Sequence, residues 1–106
     1  MVTRLDLVVE SSVHNARKRL PGHVRQQVKR AITSLADDPR PHNSRSLDIT
    51  GLDVPPGVEF RRLRLERWRL GYAVHYAEAW VWVLGIRRRP PYDYEDLPGF
   101  VASVGA

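Results

Sequence analysis

The sequence contains no cysteine. Disulfides, thiolate chemistry and cysteine-ligated metal are therefore excluded. Its four histidines, His14, His23, His42 and His75, are scattered without ligand spacing. No histidine–carboxylate metal site is expected, and no cofactor. Long apolar runs are also missing. The longest, Ala77 to Ile86, contains Glu78 and is too short to cross a bilayer. The first residues, MVTRLDLVVE, carry Asp6 where a signal peptide would be apolar. They read as a strand, and a cytoplasmic location is the expectation. Internal repeats and low-complexity segments are absent.

What remains is a chain of 106 residues, 42% hydrophobic and 27% charged. These values suit one globular domain, residues 1–106, with a single modest core. Lys and Arg number 17 against 12 Asp and Glu, a formal net charge of +5. The pI near 10.2 favours a nucleic-acid partner over an acidic small substrate.

That excess is concentrated. From Val58 to Arg89 the sequence reads VEFRRLRLERWRLGYAVHYAEAWVWVLGIRRR. Arg61, Arg62, Arg64, Arg67, Arg69, Arg87, Arg88 and Arg89 stand against Glu59, Glu66 and Glu78, which is the whole chain's +5. The arginines alternate with apolar residues at strand period instead of lining a helix face. This argues for a polyanion-binding sheet surface and against a membrane-surface helix.

Thr3 to Val9 reads as a strand. Ser11 and Ser12 offer N-caps for a short helix running to Leu20, and Pro21-Gly22 interrupts it. A longer helix is predicted from about His23 to Ala36, with Val24, Val28, Ala31, Ile32 and Leu35 forming one stripe. Arg25, Gln26, Lys29 and Arg30 on the opposite face read as solvated charge. Asp37-Asp38-Pro39-Arg40-Pro41 ends this helix. Ser46 to Thr50 suggests a short strand, and Gly51 to Gly57 a loop.

Three strands follow. In Val58–Leu65, Leu63 and Leu65 face one way, Arg62 and Arg64 the other. In Arg67–Tyr76, Trp68, Leu70, Tyr72, Val74 and Tyr76 share one face; Arg69, Gly71, Ala73 and His75 share the other. Ala77-Glu78-Ala79 turns the chain into Trp80–Ile86, apolar enough for a central strand. Pro98-Gly99 weakens any terminal helix. The pattern β-α-α-β-β-β-β predicts an α+β fold, with two N-terminal helices packed on one face of a twisted, mainly antiparallel sheet. The other face is expected to stay partly open, with a shallow groove over Gly71 and Ala73. The aromatics Trp68, Tyr72, Tyr76, Trp80 and Trp82 are expected to fill the core or face the helices.

The helix pattern VxxxVxxAIxxLxxDP, the strand pair RLRLERWRLGYAV, the apolar strand WVWVLGI and the closing RRRPPYDY together resemble the RelE/ParE toxin superfamily of type II toxin–antitoxin modules. The resemblance covers nearly the whole chain and is nearest the RelE-like branch. It implies a RelE-like fold and a ribosome-dependent endonuclease that cleaves messenger RNA without metal or cofactor. It also implies a cognate acidic antitoxin, with ribosome and mRNA as the other partners and no membrane. The family's two basic residues on the third strand correspond to Arg62 and Arg64, and the arginine on the next strand to Arg69. The arginine after the last core strand corresponds to Arg88, with Arg87 as its neighbour, and the C-terminal tyrosine to Tyr94 or Tyr92. The sequence departs from the family in having arginine where many relatives have lysine, and in Pro90-Pro91 before the tyrosines.

Metal-free RNA cleavage uses the RNA's own 2′-hydroxyl as nucleophile. Fixed guanidinium groups suit phosphate binding and stabilisation of charge on the phosphorane oxygens. Arg64, Arg69 and Arg88 are the candidate catalytic cations; Arg61, Arg62, Arg64, Arg87 and Arg89 are candidate RNA and phosphate contacts. Arginine is too weak an acid to act as a general base. Tyr94, then Tyr92, is the better proton donor or acceptor. His75 is a further candidate, since histidine is a common general acid or base. Glu59 and Glu66 read as partners of neighbouring arginines. Two other functions fit the same residues: a ParE-like inhibitor of DNA gyrase, and a basic RNA- or ribosome-binding module without catalysis.

Overall fold

A computed structural model describes residues 4–88 and 97–105. Its elements are β1 (Asp6–Val9), α1 (Ser11–Arg17), α2 (Gly22–Leu35), β2 (Ser44–Ser46), β3 (Val58–Leu65), β4 (Trp68–His75), β5 (Trp80–Arg88) and α3 (Leu97–Gly105). The five strands form one sheet in the order β1-β5-β4-β3-β2. β1 runs parallel to β5, and the other neighbours are antiparallel. None of the helices among the described residues is long and apolar enough to cross a membrane.

α2 forms where its stripe predicts. Val24, Val28, Ile32 and Leu35 are buried along it, while Arg25, Lys29 and Arg30 face outward. These apolar side chains join Val13 of α1 and Leu63, Leu70, Tyr72, Val74, Val81, Val83 and Ile86 of the sheet in the main core. Fully burying each such aliphatic side chain stabilises by about 1.5–3 kcal/mol, so this interface anchors the domain.

α1 ends at Arg17, short of the expected Leu20, although Leu20 is still buried. Its N-cap is Glu10, with no side-chain cap bond, and not Ser11 or Ser12. The backbone carbonyl of Glu10 instead accepts from Val13 N–H. β2 occupies Ser44–Ser46 and not Ser46–Thr50. Pairing starts early because Asn43 closes the end of β3, its carbonyl and side-chain amide both bonded to the Arg64 backbone. It stops early because Asp48 accepts from Thr50 N–H and turns the chain away.

The largest departure is the second face of the sheet, which is not open. α3 packs on it, forming a second core of Leu97, Phe100 and Val101 with Val58, Phe60, Ala73 and Leu84. Pro98 and Gly99 do not prevent this helix. Pro98 sits in the first turn, where its missing N–H would have had no partner. Leu97, Phe100, Val101 and Val104 recur at helical spacing and face the sheet. The groove predicted over Gly71 is filled by the ring of Phe100, which would lie 2.8 Å from a Cβ there.

Candidate functional site: an arginine row at the end of the sheet

The β3–β4 hairpin turns through Glu66-Arg67, with Glu66 at φ 55°. This tight turn sets the register that pairs Arg64 with Arg69. On the other side of β4, Arg69 pairs with Arg87. Residues directly opposite share a face, so Arg64, Arg69 and Arg87 form a row across three adjacent strands. Neighbouring strands are about 4.8 Å apart, so the three arginines leave the sheet from adjacent positions on one face.

The row lies on the α3 face. Arg62 follows two residues along β3 from Arg64, opposite Gly71, with Arg45 of β2 on its other side. Arg45 went unnoticed in the sequence because the expected strand began at Ser46. Its pairing with Arg62 is visible only in the β2–β3 register.

Like charges this close repel, and the backbone offsets part of that repulsion. One guanidinium nitrogen of Arg69, Nη1, donates to the carbonyls of Glu66 and Trp68, each at 2.9 Å. Arg87 Nη1 donates to the Ile86 carbonyl at 2.9 Å. Arg64 is exposed and has no ion-pair partner among the described residues. The nearest carboxylate in sequence, Glu66, turns to His23 Nε2 at 3.5 Å.

Arg88 is not in the row. It pairs with Trp68, one residue out of step, and therefore lies on the helix side. There it lines an open cleft of about 550 Å³ with Pro21, His23, Val24, Glu66, Arg67 and Trp68. The row thus contains Arg87, not the first-choice Arg88. β5 runs two residues past Ile86, which carries the strand alternation through both arginines.

Arg61 does not belong to the exposed surface. Only 9% accessible, it lies on the helix side of β3. Its guanidinium donates to Ser44 Oγ at 2.9 Å and Ser46 Oγ at 3.0 Å, and approaches Glu59 at 3.4 Å. Glu59 also accepts two bonds from Arg40, at 3.1 and 3.0 Å. Burial by itself would raise the Glu59 carboxyl, but the Arg40 bonds and charge, with Arg61 and Ser46, hold it below its ordinary value. The reading of Glu59 as an arginine partner is met, chiefly by Arg40.

His75 is also away from the row. Six residues from Arg69 along β4, it lies about 20 Å distant at the strand rise of roughly 3.3 Å. Its Nδ1 accepts from Glu78 N–H at 3.1 Å, so it closes the β4–β5 turn.

Among the described tyrosines, Tyr72 is fully buried and donates to the Pro39 carbonyl at 2.7 Å. Desolvation raises its pKa. Tyr76 is 43% exposed rather than core, with the Arg40 guanidinium 4.8 Å above its ring. Desolvation and the Glu59 charge raise its pKa too. Both phenols stay protonated near neutral pH, so neither suits a general base. Arg89, Tyr92 and Tyr94 lie outside the described residues. Among the described residues no three His, Asp or Glu side chains cluster as a metal site requires.

Together the fold and the row define a small α+β domain with a cationic patch at the end of its sheet, bordered by its own C-terminal helix. The chain has the RelE-like toxin fold. It is similar to the archaeal RelE–RelB complex of Pyrococcus horikoshii OT3, with a TM-score of 0.70 and 20% identity over 87% of this chain and 100% of the other. It is also similar to an arginine-to-alanine variant of the E. coli toxin RelE in the free state, with a TM-score of 0.60 and 19% identity over 95% and 97% of the two chains. A third similar structure is a toxin–antitoxin complex of Mycobacterium tuberculosis, with a TM-score of 0.61 and 16% identity over 84% and 95%. No protein-family model and no curated protein matches the sequence.

Proposed function

We propose that this chain is the toxin of a type II toxin–antitoxin pair, a ribosome-dependent endonuclease that cleaves messenger RNA and so stops translation. The observation that carries this reading is the Arg64–Arg69–Arg87 row. Its spacing suits one phosphodiester. Planar guanidinium forks hold two phosphate oxygens at a time and remain charged.

In this mechanism the 2′-hydroxyl attacks the adjacent phosphorus, and negative charge grows on the phosphorane oxygens. Arg69 and Arg87, braced by backbone carbonyls, stabilise that charge without reorganising. Arg64, third in the row, joins them on the reacting phosphate, while Arg62 and Arg45 hold the flanking phosphates. The 2′-hydroxyl loses a proton and the leaving 5′-oxygen gains one. Tyr94, or Tyr92 in its place, carries one of these transfers. No metal or cofactor enters any step.

The similar structures from Pyrococcus horikoshii and Mycobacterium tuberculosis are complexes with antitoxins. By analogy, an acidic antitoxin segment covers the arginine row here. The decisive experiment is controlled expression in cells, with transcript 5′ ends mapped and DNA supercoiling assayed in parallel. New 5′ ends within translated codons are expected. Altered supercoiling with intact transcripts would make the chain a gyrase inhibitor. Binding to ribosomes with neither effect would make it a non-catalytic module.

A further inference from the structure

Arg87 and Arg88 are consecutive residues that emerge on opposite faces of the same strand end, one beside Arg69 and the other beside Trp68. The arginine row accounts for the first. The second opens into the cleft of about 550 Å³ at the helix side, which the cleavage chemistry does not use. Its lining combines two cations, Arg67 and Arg88, with the ring of Trp68. Neither cation has an ion-pair partner among the described residues. Trp68 is half-buried, packed on the main core while also lining the cleft. One carboxylate is present, Glu66, and His23 engages it at 3.5 Å.

The wider surroundings are cationic. Between Ser11 and Ala36 the helical layer carries Arg17, Lys18, Arg19, Arg25, Lys29 and Arg30 and no Asp or Glu. The positive potential over this side is therefore not cancelled locally.

We propose that the cleft is a second nucleotide-binding subsite, taking a nucleotide of the same RNA strand beyond the one held on the arginine row. Trp68 stacks its base, and Arg67 and Arg88 hold its phosphate. An aromatic ring flanked by cations is the arrangement that binds single-stranded nucleic acid irrespective of sequence. The strand leaves the row at Arg87, crosses the end of the sheet and enters the cleft at Arg88. This proposal rests on the RNA-cleaving reading for the identity of its ligand.

The test uses the full chain and 2′-O-methyl RNA, whose blocked hydroxyl permits binding without cleavage. Fluorescence anisotropy compares a trinucleotide with a decanucleotide. R67A/R88A is expected to weaken decanucleotide binding by about tenfold, to flatten its log–log salt slope by about 2, and to leave trinucleotide binding unchanged. Both side chains are on the surface, so loss of fold does not confuse the result. Decanucleotide binding should also quench tryptophan emission, and W68F should remove that quench. Equal decanucleotide affinity in wild type and R67A/R88A would overturn the subsite while leaving the row intact. Weakening by R67A/R88A but not by R64A would leave the cleft standing and count against the row. A wild-type chain that binds neither RNA would overturn both.

Discussion

Phe100 of α3 sits directly over Gly71 of β4. A Cβ on Gly71 would approach its Cε2 to 2.8 Å, and one on the neighbouring Gly85 would approach its Cζ to 2.7 Å. The two glycines are paired across β4 and β5, so together they form one seat for the ring. That seat borders the arginine row, with Gly71 two residues along β4 from Arg69 and Gly85 two residues along β5 from Arg87.

Filling the seat should therefore loosen α3. Gly71→Ala or Gly85→Ala is expected to destabilise the fold by about 1–3 kcal/mol, the usual cost of overpacking. In a Phe100→Ala background the same changes should cost much less, because the clashing ring is gone. A double-mutant cycle by urea denaturation reads this coupling. Additive effects would mean that Phe100 does not occupy the seat.

Under the proposed cleavage, variants of the row should separate function from stability. Arg64→Ala removes an exposed side chain and should leave the melting temperature within a degree or two. Arg69→Ala and Arg87→Ala lose bonds to backbone carbonyls and should cost somewhat more, about 0.5–1.5 kcal/mol. Each should lower RNA cleavage by about 10²–10³, the effect of removing one preorganised charge stabiliser. Single-turnover cleavage on programmed ribosomes, set beside thermal melts, checks this. Full activity in Arg87→Ala with loss in Arg88→Ala would move the chemistry to the other face of the sheet.

Glu59 gives the fold an acid-sensitive tie. Its folded-state pKa lies below the ordinary value because Arg40 and Arg61 outweigh its burial. Its stabilising contribution is therefore complete above the unfolded-state value of about 4.3 and disappears as pH falls through the lower folded value. Glu59→Gln should be less stable than wild type at neutral pH by about 1–3 kcal/mol, since Arg61 is left buried without its carboxylate. The difference should shrink steadily below about pH 4. A gap that persists at low pH would show that shape, not charge, makes Glu59 matter.

An acidic partner should bind fast at low salt and slowly at high salt. Charge is matched by Arg45, Arg62 and Arg64, and apolar contact is offered by Leu7 and Val8, 37% and 46% exposed on the edge strand β1. Stopped-flow association with the product of the neighbouring gene should show a steep ionic-strength dependence. Arg45→Glu/Arg64→Glu should abolish it. A rate indifferent to salt would mean that the partner does not use the basic face.

Local pattern was sufficient for much of this molecule. The stripe Val24–Leu35 located α2, because a helix of that length buries one face wherever it packs. Alternation through Val58–Leu65 and Trp68–His75 assigned each side chain its face, since period 2 is a property of the strand alone. The concentration of charge in residues 58–89 pointed to a polyanion. What those patterns do not contain is register between segments. Whether Arg69 meets Arg87 or Arg88 depends on where β5 stops and on the shift between Gly71 and Tyr72. Arg45 joins the basic face only through pairing with Arg62. Arg61 follows the same alternation as Leu63, yet its burial depends on Ser44, Ser46 and Glu59 coming together from separate segments. The covering of the sheet by α3 depended on a ring finding the space left by two glycines on different strands. The residues and their faces were thus set by the chain's own periodicity. Their neighbours were decided by long-range packing, and the site is made of neighbours.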